Sequence, residues 1–246
     1  LSMLFVGICG ISYEYTFSRL GSEILGDSVK QWAITIGLMM FFMGIGADLQ
    51  KHLPDELNVD NFIFLEVLLG LLGGIGPTVS LYAFGHFHNY FILFHYFFIC
   101  AIGLMIGLEI PLLTRVNQKT VPSLKHNLGL ILKMDYIGSF LGAMIWVFLL
   151  PLFFNILEIS FFLGLINVGV ALFTWIWFHG WMKYPKAIPI FALCVIALLL
   201  VGLLNGKKIT TTAEQKLYRD TIIHTRTTPY QRIVVTQSRS GDYNPF

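Results

Sequence analysis

Charge is what this sequence has least of: Asp, Glu, Lys and Arg make up only 12% of its 246 residues, against roughly 25% in a soluble globular domain. With 56% hydrophobic residues, 15% aromatic residues and a mean hydropathy of +0.72, that scarcity excludes an ordinary water-soluble fold. It points to an integral membrane protein whose surroundings are the lipid bilayer. Cysteine is equally sparse. Cys9, Cys100 and Cys194 are widely spaced, each inside an apolar run, which excludes a disulfide framework and a zinc-ligand cluster; they read as core residues. There is no repeat of solenoid period. No charged segment and small-residue cleavage site open the chain, so no signal peptide is expected.

What is present in quantity is long apolar runs. About 30 Å of hydrocarbon needs about 20 mostly apolar helical residues. Seven candidate spans meet that need, roughly 1–24, 31–49, 61–85, 90–113, 127–154, 158–179 and 187–205, the first being the most polar. The connections are brief, which predicts antiparallel neighbours in one bundle. Glycine recurs inside the spans, as in "GLLGGIGP" and "GSFLGA", where small residues let helix backbones approach closely. The expected fold is therefore an all-α bundle of about seven transmembrane helices, residues 1–205, followed by a short soluble tail, 206–246, that begins a β-strand or hairpin.

Ionisable residues inside the apolar windows are Glu14, Arg19, Glu66, Glu109, Lys133 and Asp135. An unpaired ion there costs at least about 2.5–3.5 kcal/mol, so each needs a partner. Glu14 and Arg19 are five residues apart, which is not the spacing of a good pair within one helix; Arg19 is expected to reach another helix. Glu109 stands two residues before Pro111, whose missing N–H frees a carbonyl in the same turn. Glu14, Arg19, Glu109 and Asp135 form a candidate intramembrane polar cluster. Two readings stay open: a site for a cation or substrate between helices, or interhelical glue and interfacial residues. "GHFHNYFILFH", with His86, His88 and His95, reads as an aromatic interfacial loop, and no metal site is expected.

Lys and Arg number six on each side of the expected bundle, so the positive-inside rule does not orient it. The net charge of +2 divides into +4 on the tail and −2 on the rest. In the tail, "TTTAEQKLYRD" offers Thr N-cap candidates before a short amphipathic stretch, and "TIIHTRTTP" reads as an extended connector ending in a Pro turn. "QRIVVTQ" carries a strand signal and "SGDY" a hairpin-turn signal. A lone hairpin is marginal in water, so the segment is expected to be the edge of a larger sheet.

The run "AEQKLYRDTIIHTRTTPYQRIVVTQ" resembles the entry to the catalytic domain of spermidine synthase-like proteins, the polyamine aminopropyltransferases. Upstream, "EYTFSRLGSEILGDSVKQWAITIGLMMFFMGIGADL", "GLEIPLLTR" and "KMDYIGSFLGAMIWVFLLP" are similar to the membrane module fused to that domain in some bacterial members. The resemblance implies transfer of an aminopropyl group from the co-substrate decarboxylated S-adenosylmethionine to a polyamine, with Gln231 hydrogen-bonding the nucleoside part. No catalytic residue is expected within these residues, so the full protein would be the enzyme and residues 1–246 alone inactive. The implied partners are the bilayer, a polyamine and the nucleoside co-substrate, with no nucleic acid; a homo-oligomer stays open. Because that co-substrate is made in the cytosol, the tail is expected on the cytoplasmic side of the cell membrane. Two other roles for the bundle remain: a polyamine or cation transporter-like module in which Glu14, Glu109 and Asp135 hold the cation, or a simple anchor.

Overall fold

Two residues with left-handed backbones make the first corner of the fold. Gly26 (φ 73°) and Asp27 (φ 48°) turn the chain between α1 (Ser2–Leu25) and α2 (Ser28–Leu49), and the Asp27 carboxylate accepts from the amide of Lys30 at 3.2 Å. Glycine takes the first position without steric cost, and Asp tolerates the second. A computed structural model of the chain describes residues 1–86, 90–118, 120–215, 218, 220–227 and 232–237. After α2 come α3 (Asn58–His86), α4 (Phe91–Gln118), α5 (Leu124–Phe148), a single turn α6 (Leu150–Phe153), α7 (Ile156–Phe178), α8 (Ala187–Leu204) and α9 (Gly206–Gln215).

Among the described residues six helices, α2 to α5, α7 and α8, are long and apolar enough to cross a membrane. This corrects the expectation of seven. The helix that falls short is α1, which carries Glu14, Arg19 and Glu23. Its place in the bundle explains its polarity: α1 packs against α2, α3, α4, α5 and α7. A helix enclosed by others can hold polar groups that an outer helix cannot. The outer surface, by contrast, is oily, with Phe41, Phe140, Leu152, Phe153, Trp177 and Leu198 all exposed.

Glycine sets the helix spacing, as expected from the sequence. Gly138 and Gly142 of α5 lie on the α1 backbone at Leu4 and Ile8, and a Cβ at Gly142 would stand 2.6 Å from the Ile8 carbonyl oxygen. Polar side chains then tie the helices together. Trp146 Nε1 of α5 donates to Thr16 Oγ1 of α1 at 2.9 Å, Tyr96 of α4 to Gln31 of α2 at 3.0 Å, and Ser160 of α7 to the Gly74 carbonyl of α3 at 2.9 Å. The start of α7 is a capping box: Asn155 Oδ1 accepts from the Leu157 and Glu158 amides, and Glu158 accepts from the Asn155 amide.

At the end of the bundle where α8 finishes, α9 folds back onto α3, α7 and α8, burying Thr210 and Ala213. Thr210 and Thr211 do not cap this helix, as the sequence suggests; their hydroxyls donate to the carbonyls four residues back, Gly206 and Lys207. Gln215 joins helix to strand, donating to the Asp220 carbonyl and accepting from the Ile222 amide, both at 2.8 Å. Then β1 (Thr221–Thr227) pairs antiparallel with β2 (Arg232–Gln237), with an irregularity between Ile222 and His224. The extended character expected at Ile233 to Thr236 is present. The stretch read as a connector is instead the first strand, paired with β2 within residues 221–237. Its β-branched residues satisfy their backbone groups by pairing with the nearest extended partner. The "SGDY" turn signal lies outside the described residues.

Candidate functional site

The four residues proposed as one polar cluster stand on three helices, Glu14 and Arg19 on α1, Glu109 on α4 and Asp135 on α5. Arg19 pairs with Glu23 on its own helix at 2.9 Å, and its guanidinium lies 6.0 Å from the ring centroid of Trp146 in α5. It thereby reaches another helix, as expected, while its ion-pair partner is on its own helix because Glu23 sits at the i,i+4 position that Glu14 misses. Glu14 is half-buried and forms no ion pair among the described residues; on an ideal helix it is turned by about 100° from its neighbour Tyr13. Asp135 is half-buried on α5 against Gly7 of α1, where a Cβ would stand 2.9 Å from Asp135 Oδ1. Among the described residues no ion pair joins Glu14, Glu109 or Asp135 to a cation, and Asp135 is within electrostatic range of Glu109.

Glu109 has a different partner. It is completely buried and faces Glu66 of α3, also completely buried, close enough for a hydrogen bond between the two carboxyl groups. As two carboxylates they offer four acceptors and no donor, and none of the four oxygens has a hydrogen-bond partner among the described residues. No Lys, Arg or His forms an ion pair with either. Tyr13 and Cys9 of α1 are within electrostatic range of both acids, and Asp135 is within range of Glu109. The Tyr13 hydroxyl is fully buried and has no partner. Cys9 makes only a long contact, Sγ to the Leu163 carbonyl at 3.8 Å.

The helices meet here for local reasons. The Tyr13 ring lies on Gly73 of α3, where a Cβ would stand 2.9 Å from the Tyr13 hydroxyl oxygen. Pro77 and Pro111 lie inside α3 and α4, and each leaves the carbonyl four residues earlier, Gly73 or Gly107, without its helical donor. Glu66 is visible in the sequence as an ion in an apolar run but escapes the predicted cluster, because a search for partners looks for opposite charge. The signal that could have found the pair is that both acids sit in glycine-rich, proline-containing helices with no cation one turn away.

Of the other predicted positions, Cys9 is buried in the core as expected, while Cys194 is exposed on α8, since that outer helix turns most of its surface outward. His95 is not in a loop: it is fully buried in α4, stacked on Phe91 with centroids 4.9 Å apart, and neither ring nitrogen has a partner among the described residues. Gln231, the predicted nucleoside contact, lies outside the described residues. A crevice of about 340 Å³ opens where bundle and tail meet, lined by Phe153, Phe154, Asn155, Glu158, Lys207 and Thr225 among others.

Along nearly its whole length the chain is similar to curated proteins named polyamine aminopropyltransferase. It is 34% identical over 244 residues to the one from Leptospira interrogans, covering 96% of this chain and 47% of the relative. It is 35% identical over 239 residues to the one from Oceanobacillus iheyensis, covering 94% and 45%. To polyamine aminopropyltransferase 2 of Aquifex aeolicus it is 32% identical over 240 residues, covering 96% and 47%. The chain spans about half the length of the curated relatives it matches. No family model matches the sequence, and no solved structure matches it significantly.

Proposed function

We propose that this chain is the membrane-embedded portion of a polyamine aminopropyltransferase, with residues 1–205 as the membrane module and residues 206–246 as the start of its catalytic domain. The whole enzyme would transfer an aminopropyl group from decarboxylated S-adenosylmethionine to a polyamine. The observation that carries this reading is the alignment itself. It is continuous over 94–96% of the chain in the three relatives above, so it takes in the apolar helices and most of the tail together. The oily outer surface supports the bilayer as surroundings. Ile233 and Val235, two apart on β2 and exposed, offer an apolar strand face that further sheet or helix would cover. Gln231 would contact the nucleoside, since its amide both donates and accepts.

A chimera tests the reading. Residues 1–246 are joined to the part of the Leptospira relative that this chain does not match, and aminopropyl transfer from decarboxylated S-adenosylmethionine to putrescine is measured, with residues 1–246 by themselves as the blank. The expected result is turnover by the chimera alone. Gln231→Ala in that chimera is expected to lower kcat/KM by about 10-fold, the loss of one hydrogen bond worth about 1.4 kcal/mol. An inactive but folded chimera, or turnover by the blank, would remove the assignment.

The tail is placed on the cytoplasmic side, because the co-substrate is made there. The side of the amino terminus then depends on whether the enclosed α1 crosses together with the six apolar helices: it is outside with seven crossings and cytoplasmic with six. A reporter fused after Phe246 should be active in its cytoplasmic form and silent in its periplasmic form; the reverse pattern would invert the bundle.

A further inference from the structure

We propose that Glu66 and Glu109, with the Tyr13 hydroxyl, form a proton-binding site inside the bundle, in which one proton bridges the two carboxyl groups. The geometry supplies each part. Both acids are fully buried, on different helices, and face one another. Glu66 lies eight residues into α3 and Glu109 nine residues before the end of α4. These positions put both about 12–14 Å from the same end of the bundle, at a common depth where water does not compensate charge. Two carboxylates in contact without a cation repel one another at low dielectric, where the Coulomb term is several times its value in water. One proton removes one of the charges and supplies the missing donor, so the pair can share a hydrogen bond.

Tyr13 provides the independent sign that something belongs here. Its hydroxyl is fully buried, has no partner, and is within range of both acids. A buried phenol normally finds an acceptor; here the hydroxyl lies within electrostatic range of both acids and makes no direct hydrogen bond to either. The other groups facing the pair are Cys9 from α1 and Asp135 from α5, neither of them a cation. From α7 the nearby polar groups are the Leu163 carbonyl, 3.8 Å from Cys9 Sγ, and the buried Asn167 amide, whose Cβ stands 3.4 Å from a Cβ position at Gly70, one turn beyond Glu66. Among the described residues no group of three His, Cys, Asp or Glu side chains gathers to hold a metal ion. The crevice described above is lined by other residues, and a bulky ammonium would need a cavity of its own at the pair. A proton needs none. Because the site joins α1, α3 and α4, its occupancy is linked to how these three helices pack.

Infrared spectroscopy of the chain in lipid nanodiscs tests this directly, since a protonated carboxyl has a C=O stretch that a carboxylate lacks. The expected result is such a band at neutral pH, lost in the E66Q/E109Q double variant and retained in D135N. Tyr13→Phe, which keeps the ring on Gly73, should leave the band but shift its frequency. Each single variant, E66Q or E109Q, should also shift it, which keeps the test decisive if the double variant does not fold. No band in the wild type, or a band indifferent to all of the Glu66, Glu109 and Tyr13 variants, would overturn the proposal. So would a band that disappears on adding sodium or spermidine, because the site would then belong to a cation.

Discussion

Gly107→Leu is expected to cost about 3 kcal/mol of stability and to loosen α2 from the bundle, whereas Gly44→Leu, on α2 itself, should stay within about 0.5 kcal/mol. A Cβ at Gly107 would meet the backbone of Met43, with the Met43 carbonyl carbon and Cα both at 2.7 Å. Backbone cannot rotate away as a side chain can. Two neighbouring contacts are built the same way: Gly46 on the Leu104 carbonyl, and Gly103 with a Cβ position 2.8 Å from the Met39 carbonyl oxygen. Gln31, Thr35, Met39 and Gly46 are the buried residues of α2, so this seam with α4 supplies much of what holds it. Gly44 has nothing within 4 Å. Thermal unfolding in detergent, followed by circular dichroism, gives the comparison. Equal melting of the two variants would mean that close backbone approach is not what seats α2.

Asp60→Ala is expected to cost about 3–6 kcal/mol, the sum of two hydrogen bonds to a charged group at about 1.5–3 kcal/mol each. Asp60 is only 5% exposed in the first turn of α3, and its two oxygens accept from the amides of Lys183 at 3.0 Å and Tyr184 at 2.9 Å. It thereby fastens the connection between α7 and α8 to the start of α3, and as an anion in a first helical turn it also opposes the helix dipole. Alanine leaves both amides without a partner. Hydrogen exchange at Lys183 and Tyr184 should accelerate together, and Asp60→Asn should recover part of the loss. The contrasting position is Asp55. Its ion pair with Arg115 at 3.1 Å has an aspartate side chain 83% exposed, so Asp55→Ala should cost no more than about 1 kcal/mol. If the two alanine variants are equally stable, Asp60 is no clamp.

The helices were readable because their cause is local. Long apolar runs, short polar connections and glycine at intervals leave few alternatives when backbone groups must be satisfied without water. The same holds for β2, where β-branched residues follow a proline. Its partner strand was harder, since "TIIHTRT" has the composition of either a connector or a strand, and pairing alone decides between them. Arg19 shows how far such a reading goes: it reaches another helix as expected, through the Trp146 ring of α5, but its ion-pair partner is Glu23 on its own helix.

What the sequence by itself determined is an apolar helical chain with a polar tail, glycine-spaced packing and ions that must be buried or paired, because length, hydropathy and residue size act through solvation and the backbone one segment at a time. Only the tertiary structure decided that α1 is the enclosed helix, and therefore the one free to be polar. It alone decided that Glu109 meets Glu66 rather than Arg19 or Asp135. Which side chains share a buried space depends on helix rotation and neighbour order, and these are set by backbone contacts between residues far apart in the chain, such as Gly73 beneath Tyr13. Opposite charge is the rule a sequence offers for pairing. In a closed interior with no cation at hand, proximity imposed by packing overrides it.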